Sequence, residues 1–214
     1  MNERFFELSP EKQTTMLNAA MAVFAHSTYK KAATTEIAEK AGISKGLLFH
    51  YFENKKSLYL FLYNYAVRFL VDEMSSMYDW DESDFFRRLK KAQACKTAIC
   101  IQHPNLFAFL TKAYLDGSEE IKEELNQSFH TVLINSSASF LKLVDCSKFK
   151  DGVDPSMVLN LILWASDGYM RSKPEEQLGD AAALNEEFMH YLDMLEKTLY
   201  KEEHLSWQSS KPTV

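Results

Sequence analysis

Apolar residues recur at helical spacing along almost the whole chain, and the breaks between them mark helix ends. Leu17, Ala20, Met21 and Phe24 form the first stripe. Ser9-Pro10-Glu11 opens it, with serine as cap, proline at the first helical position and an acid in the first turn. A short second helix carries Ile37, Ala38 and Ala41 on one side, Thr34 standing as its cap. It ends at Gly42, since glycine tolerates the left-handed backbone of a helix terminus. Ser44 caps a third helix, whose Leu48 and Phe52 share one face at i and i+4. The small Ala38 and Ala41 let these two helices approach closely.

Six longer helices are predicted beyond that point. The fourth runs from about Lys55 to Tyr78 with Leu58, Phe61, Leu62, Tyr65 and Phe69 inward. The fifth, about Glu82 to His103, is stopped by Pro104. The sixth covers Asn105–Leu115 and ends at Asp116-Gly117. Ser118-Glu119-Glu120 caps the seventh, with Ile121, Leu125, Phe129, Val132, Phe140 and Leu143 at helical spacing. Asp154-Pro155 opens the eighth, Ser156 to about Met170, and the ninth covers about Asp180–Glu203. No strand pattern appears, and the tail from Ser206 is expected to be disordered. The expectation is an all-α fold of about nine helices: residues 1–54 as a three-helix N-terminal unit, 55–205 as a larger helical body, and 206–214 as tail.

A helix, a glycine turn and a second helix make the helix-turn-helix pattern, whose second helix enters the major groove of DNA. The surrounding residues sharpen this. Thr34-x-x-Ile37-Ala38-x-x-Ala41-Gly42-Ile43-Ser44-x-Gly46-x-Leu48-Phe49-x-x-Phe52-x-x-Lys55-x-x-Leu58 resembles the N-terminal signature of the TetR family of bacterial transcriptional regulators. The motif covers roughly residues 10–65; the remainder agrees with the family in length and helical pattern only. The resemblance implies a DNA reader, a body holding a small-molecule effector, and a homodimer joined through the last two helices. It also implies a cytoplasmic protein, a repressor acting at a palindromic operator, and no cofactor or catalytic residue.

Charge is consistent with that division. The net charge is −6, yet residues 1–57 hold eight Lys/Arg against six Asp/Glu, so the acidic excess lies in the body. Cys95, Cys100 and Cys146 form no CxxC pair and are expected as reduced thiols. The N-terminus lacks the apolar stretch of a signal peptide, and no apolar run approaches the ~18 residues of a membrane span.

The expected DNA contacts are Thr34, Thr35, Ser44, Lys45, Gly46, Leu47, Phe49, His50, Tyr51 and Lys55. Lys45, in the first turn of the recognition helix, suits guanine O6/N7, while Lys55 aligns with the family's phosphate-contacting lysine. Leu47 and Phe49 replace the hydroxyl-bearing residues usual in the family. Pocket candidates are Met74, Met77, Tyr78, Trp80, Phe107, Tyr114, Phe129, His130 and Trp164, residue types that suit a mostly apolar ligand. Leu159, Ile162, Leu163, Leu184, Phe188, Tyr191, Leu192, Leu195 and Leu199 are the dimer candidates. Two other function classes compete. Glu187-x-x-His190 is one half of a di-metal helical-bundle signature, but no second such pair exists. A constitutive DNA-binding protein without a ligand is the other.

Overall fold

The structure is a computed structural model, and it describes residues 3–77 and 81–205. Nine α-helices follow in order among those residues: α1 Pro10–His26, α2 Thr34–Lys40, α3 Lys45–Phe52, α4 Lys55–Met77, α5 Phe85–Gln102, α6 Pro104–Leu115, α7 Lys122–Leu141, α8 Pro155–Ser172 and α9 Ala181–Leu199. The only β pairing among them is an isolated antiparallel bridge between Phe149 and Tyr200. The expected tail lies outside the described residues, as do pocket candidates Tyr78 and Trp80.

Several helix ends are set by side-chain caps. Ser44 Oγ accepts from Leu47 N–H at 3.1 Å, Asp84 Oδ1 from Arg87 N–H at 2.9 Å and Asp154 Oδ1 from Ser156 N–H at 2.8 Å. Asn54 Oδ1 caps α4 by accepting from Ser57 N–H at 2.8 Å. Three expected caps do not form, at Ser9, Thr34 and Ser118. Ser9 makes no side-chain cap bond, and Thr34 is the first residue of α2, so Ala33 occupies the cap position. The seventh helix starts later than expected, at Lys122, because Ser118 C=O first accepts from both Ile121 and Lys122 N–H in a tight turn.

Two hydrophobic cores hold the chain together. The first joins α1, α2, α3 and α4 to α6 and the start of α7, through Phe24, Ile37, Leu48, Phe52, Leu58, Leu62, Phe109, Ile121 and Leu125. Phe24, Tyr59 and Phe109 meet edge-on or tilted across three helices, at centroid distances of 4.8 to 6.1 Å. The N-terminal three-helix unit therefore shares a core with the rest of the chain. The inward face of α4 is Leu58, Tyr59, Leu62, Tyr63 and Ala66; Tyr65, expected inward, is exposed because it lies at the edge of that face rather than at its centre. The second core lies between α5, α8, α9 and the α7–α8 loop, and contains Phe85, Phe86, Phe140, Phe149, Val158, Leu159, Ile162, Leu192 and Tyr200.

That second core alters the expected dimer face. Leu159, Ile162 and Leu192 are buried inside their own subunit, and Leu192 is only 1% exposed. Leu184 is buried as well, while Leu163, Phe188, Leu195 and Leu199 pack partly against the same core. Of the expected interface residues Tyr191 is exposed. The apolar face left outside consists of Met157, Leu161 and Trp164 on α8, with Tyr191 and Met194 on α9. Helix α8 is apolar nearly all round because one side enters the subunit's core and the other points away from it.

Candidate nucleic-acid interface

Helices α2 and α3 meet at Gly42, whose φ of 68° is the left-handed conformation that a helix end of this kind requires. Ile43 N–H returns to Ala38 C=O at 3.0 Å and closes the turn. Ile37, Leu48 and Phe52 are fully buried and fix α3 against the core. Opposite them, Ser44, Lys45, Gly46, Leu47 and His50 are exposed, Phe49 is half-buried, and Thr35 and half-buried Thr34 open α2 beside them. Lys45 Nζ sits 5.8 Å from the Phe49 ring centre, so the ring supports the lysine on the outer face.

Tyr51 departs from the expected outer face. It is 9% exposed and packs edge-on to Phe5 at 6.2 Å. A short 3-10 turn at Glu3–Phe5 accounts for this. Phe5 inserts against Tyr51, Phe52 and Phe61, with centroids at 6.2, 5.0 and 5.5 Å. The same turn brings Arg4 Nη1 to 3.2 Å from His50 Nε2. Arg4 is thus a basic group on the reading face that helical periodicity did not single out, because it lies in a single turn outside any amphipathic stripe.

Helix α3 ends sharply. Glu53 has φ 64° and ψ −56°, and Asn54 N–H bonds Phe52 C=O at 2.6 Å. This is a γ-turn with positive φ, a strained conformation for a residue with a Cβ. It sets Lys55 at the first position of α4.

Lys55 lies where reader and body meet. Its ammonium is 5.0 Å from the Tyr29 ring centre and donates to Lys30 C=O at 3.2 Å. Burial pulls its pKa below the ordinary lysine value, while Glu120 and Asp116 pull it back up. Tyr29 is held from the body side: its N–H donates to Asp116 Oδ2 at 2.7 Å and its hydroxyl to Glu120 Oε1 at 2.7 Å. Burial and the bond to Glu120 keep that phenol protonated far above neutral pH. Lys56 adds an ion pair to Glu124 of α7 at 2.6 Å.

Asp116 also lines a cavity of about 270 Å³ among α4, α6, α7 and α8. Tyr63, Ala113 and Leu125 are its buried walls, and Tyr114, Phe129, His130, Asp167 and Arg171 contribute as well. Three of the pocket candidates, Tyr114, Phe129 and His130, line it; Met74, Met77 and Phe107 do not. Trp164 is 69% exposed and belongs to the outer face of α8.

Residues 16–61 match the profile described as bacterial regulatory proteins, tetR family. That segment is a TetR-family DNA-binding segment. The match runs from within α1 to within α4 and so takes in the whole helix-turn-helix. The HTH-type transcriptional regulator RutR of Escherichia coli O157:H7 is 23% identical over 178 residues, 82% of each chain. The fatty acid metabolism regulator protein of Bacillus subtilis is 20% identical over 157 residues, covering 73% of this chain and 80% of that one. Among solved structures, SmeT, the repressor of a Stenotrophomonas maltophilia multidrug efflux pump, superposes with a TM-score of 0.69 at 16% identity. That match covers 92% of this chain and 93% of SmeT. Among the described residues, no helix is long and apolar enough to cross a membrane.

Proposed function

We propose that this TetR-family regulator is a homodimeric repressor that holds a palindromic operator and releases it when a small molecule fills the cavity of the body. Residues 1–54 act as the reader and 55–205 as the effector and dimerisation body. The observation that carries the reading is Asp116, one side chain that both lines the cavity and holds Tyr29 beside Lys55. A ligand that moves Asp116 acts on the reader across this seam, and through Tyr63 it acts along α4 as well. One solved relative by fold, FadR of Bacillus subtilis, is described in complex with stearoyl-CoA, which supports a ligand-binding body.

Base reading is assigned to Lys45, Leu47 and His50, with phosphate contacts from Thr34, Thr35, Ser44, Gly46 and Lys55. Phe49 serves as the support under Lys45. The second subunit is placed on Met157, Leu161, Trp164, Tyr191 and Met194, an exposed apolar face that a second copy covers with its own. A di-metal enzyme gains no support from geometry. Glu187 is taken by Lys173 Nζ at 2.5 Å and Tyr169 hydroxyl at 2.9 Å, and His190 is exposed.

Titrating a cavity ligand by calorimetry with and without operator tests the regulatory half. A repressor of this kind binds its effector more weakly on DNA, by the same factor that the effector weakens DNA binding. Equal ligand affinity in both titrations would show a DNA-binding protein that the ligand does not regulate.

A further inference from the structure

The groups lining the cavity differ in how far they are already engaged. Asp167 accepts from Arg171 Nε, at 3.2 Å to each oxygen, and from the Tyr114 hydroxyl. Asp116 accepts from Tyr29 N–H at 2.7 Å and Ser118 N–H at 2.9 Å. Both carboxylates are thus turned toward protein donors. The donors are left over. Arg171 uses only Nε, and its terminal nitrogens have no hydrogen-bond partner among the described residues. Among the described residues Lys122 pairs only with Glu119, at 3.2 Å in an exposed i,i+3 contact that contributes little. The side chains of Asn126 and His130 make no hydrogen bond to a described residue. The cavity therefore holds two cations with unused donor capacity and two further polar groups, whereas its two carboxylates are committed.

The apolar side is aromatic. Tyr114 and Phe129 lie with ring centres 5.7 Å apart, and Phe129 is 42% exposed. The Arg171 guanidinium carbon lies 4.7 Å from the Tyr114 ring centre, a cation–π contact that leaves its terminal N–H groups unused. Such a fork matches a carboxylate, which can accept two parallel bonds from it.

We infer that the cavity takes a small carboxylate carrying a flat apolar group, its acid on Arg171 and Lys122 and its ring against Phe129 and Tyr114. This deepens, and rests on, the reading of the cavity as the effector site. The acid satisfies the free donors, and the ring covers the exposed face of Phe129, so both leftover features have one occupant.

Isothermal calorimetry of the full-length protein with benzoate and indole-3-acetate tests it, with benzamide and indole-3-acetamide as neutral counterparts of the same shape. The acids are expected to bind saturably and the amides roughly tenfold more weakly, the difference expected of charge-assisted bonds. Arg171→Gln and Lys122→Gln should each reduce acid affinity by about tenfold and leave amide affinity nearly unchanged. Both side chains are half exposed, so neither change threatens the fold, and thermal unfolding verifies that. Amides binding as tightly as acids, no saturable binding by either acid, or acid binding indifferent to both substitutions would each overturn the inference. Operator binding, followed separately by fluorescence anisotropy, keeps the two readings apart. A protein that binds operator but ignores the acids contradicts this ligand class alone. One that binds the acids but no specific DNA contradicts the regulator reading alone.

Discussion

Tyr29 N–H donates to Asp116 Oδ2 at 2.7 Å, a bond between residues 87 positions apart that ties the loop before α2 to the end of α6. The partner carboxylate oxygen holds Ser118 N–H at 2.9 Å, so one side chain secures two loops. Asp116→Ala leaves both donors without their acceptor. Urea denaturation should show a loss of about 1–3 kcal/mol. The variant should still bind operator while its response to a cavity ligand shrinks, because the seam no longer passes on a shift of the cavity wall. An unchanged ligand response would put the coupling in α4 alone.

The two lysines of the reader should behave differently. Lys55, at the start of α4 beside Tyr29, is assigned to phosphate. Lys55→Ala should weaken all sequences about equally and reduce the salt slope by about one. Lys45→Ala, on the exposed face of α3, should instead relax preference at one base position. Fluorescence anisotropy against an operator and its single-base variants, at several salt concentrations, separates the two. The reverse outcome would exchange the roles.

Trp164 and Leu192 provide a matched pair for the dimer. Trp164→Glu places a charge on the exposed face of α8 and should yield a folded monomer by sedimentation, with operator affinity falling in parallel. Leu192→Glu buries a charge in the subunit's own core and should cost several kcal/mol and unfold the body. A dimeric Trp164→Glu would move the interface elsewhere.

That contrast marks the limit of what the sequence reveals. The spacing of apolar residues and the strong breakers, such as Gly42 and Pro104, locate the helices. The cap at Ser44 and the buried Leu48 and Phe52 were legible for the same reason, since both follow from local geometry. What periodicity does not encode is which side of an apolar helix meets its own subunit. Leu192 and Tyr191 are neighbours on one helix; only the position of Phe86 and Tyr200 in space makes the first core and the second surface. Tyr51 lies outward by periodicity, yet Phe5, from a three-residue turn, covers it. Asp116 and Glu120 read only as helix-end residues and Tyr29 carried no signal, because their bonds join loops distant in sequence.

Asp84 should govern part of the acid stability. Burial alone would raise its pKa. Lys148 Nζ at 2.8 Å, Arg87 N–H at 2.9 Å and the Tyr200 hydroxyl at 3.3 Å outweigh burial and hold the carboxyl below its ordinary range. A folded-state pKa below the unfolded one contributes stability that is present at neutral pH. That stability is lost as pH falls below about 4, toward the folded value. Asp84→Asn should therefore be less stable at pH 7 and lose less on acidification, as read from urea midpoints at pH 7 and pH 3. Parallel pH curves for the two proteins would show that Asp84 is not the group responsible.

The central claim is that α3 reads DNA and that two copies read it together. Affinity selection of sheared genomic DNA by the purified protein, followed by sequencing, measures this directly. The account expects a few enriched fragments that share an inverted repeat. Its half-sites should lie about one helical turn, or a whole number of turns, apart. Enrichment should vanish when Lys45 and Lys55 are both replaced by alanine. Fragments recovered in proportion to their abundance, with no shared sequence and no loss in the double variant, would contradict it.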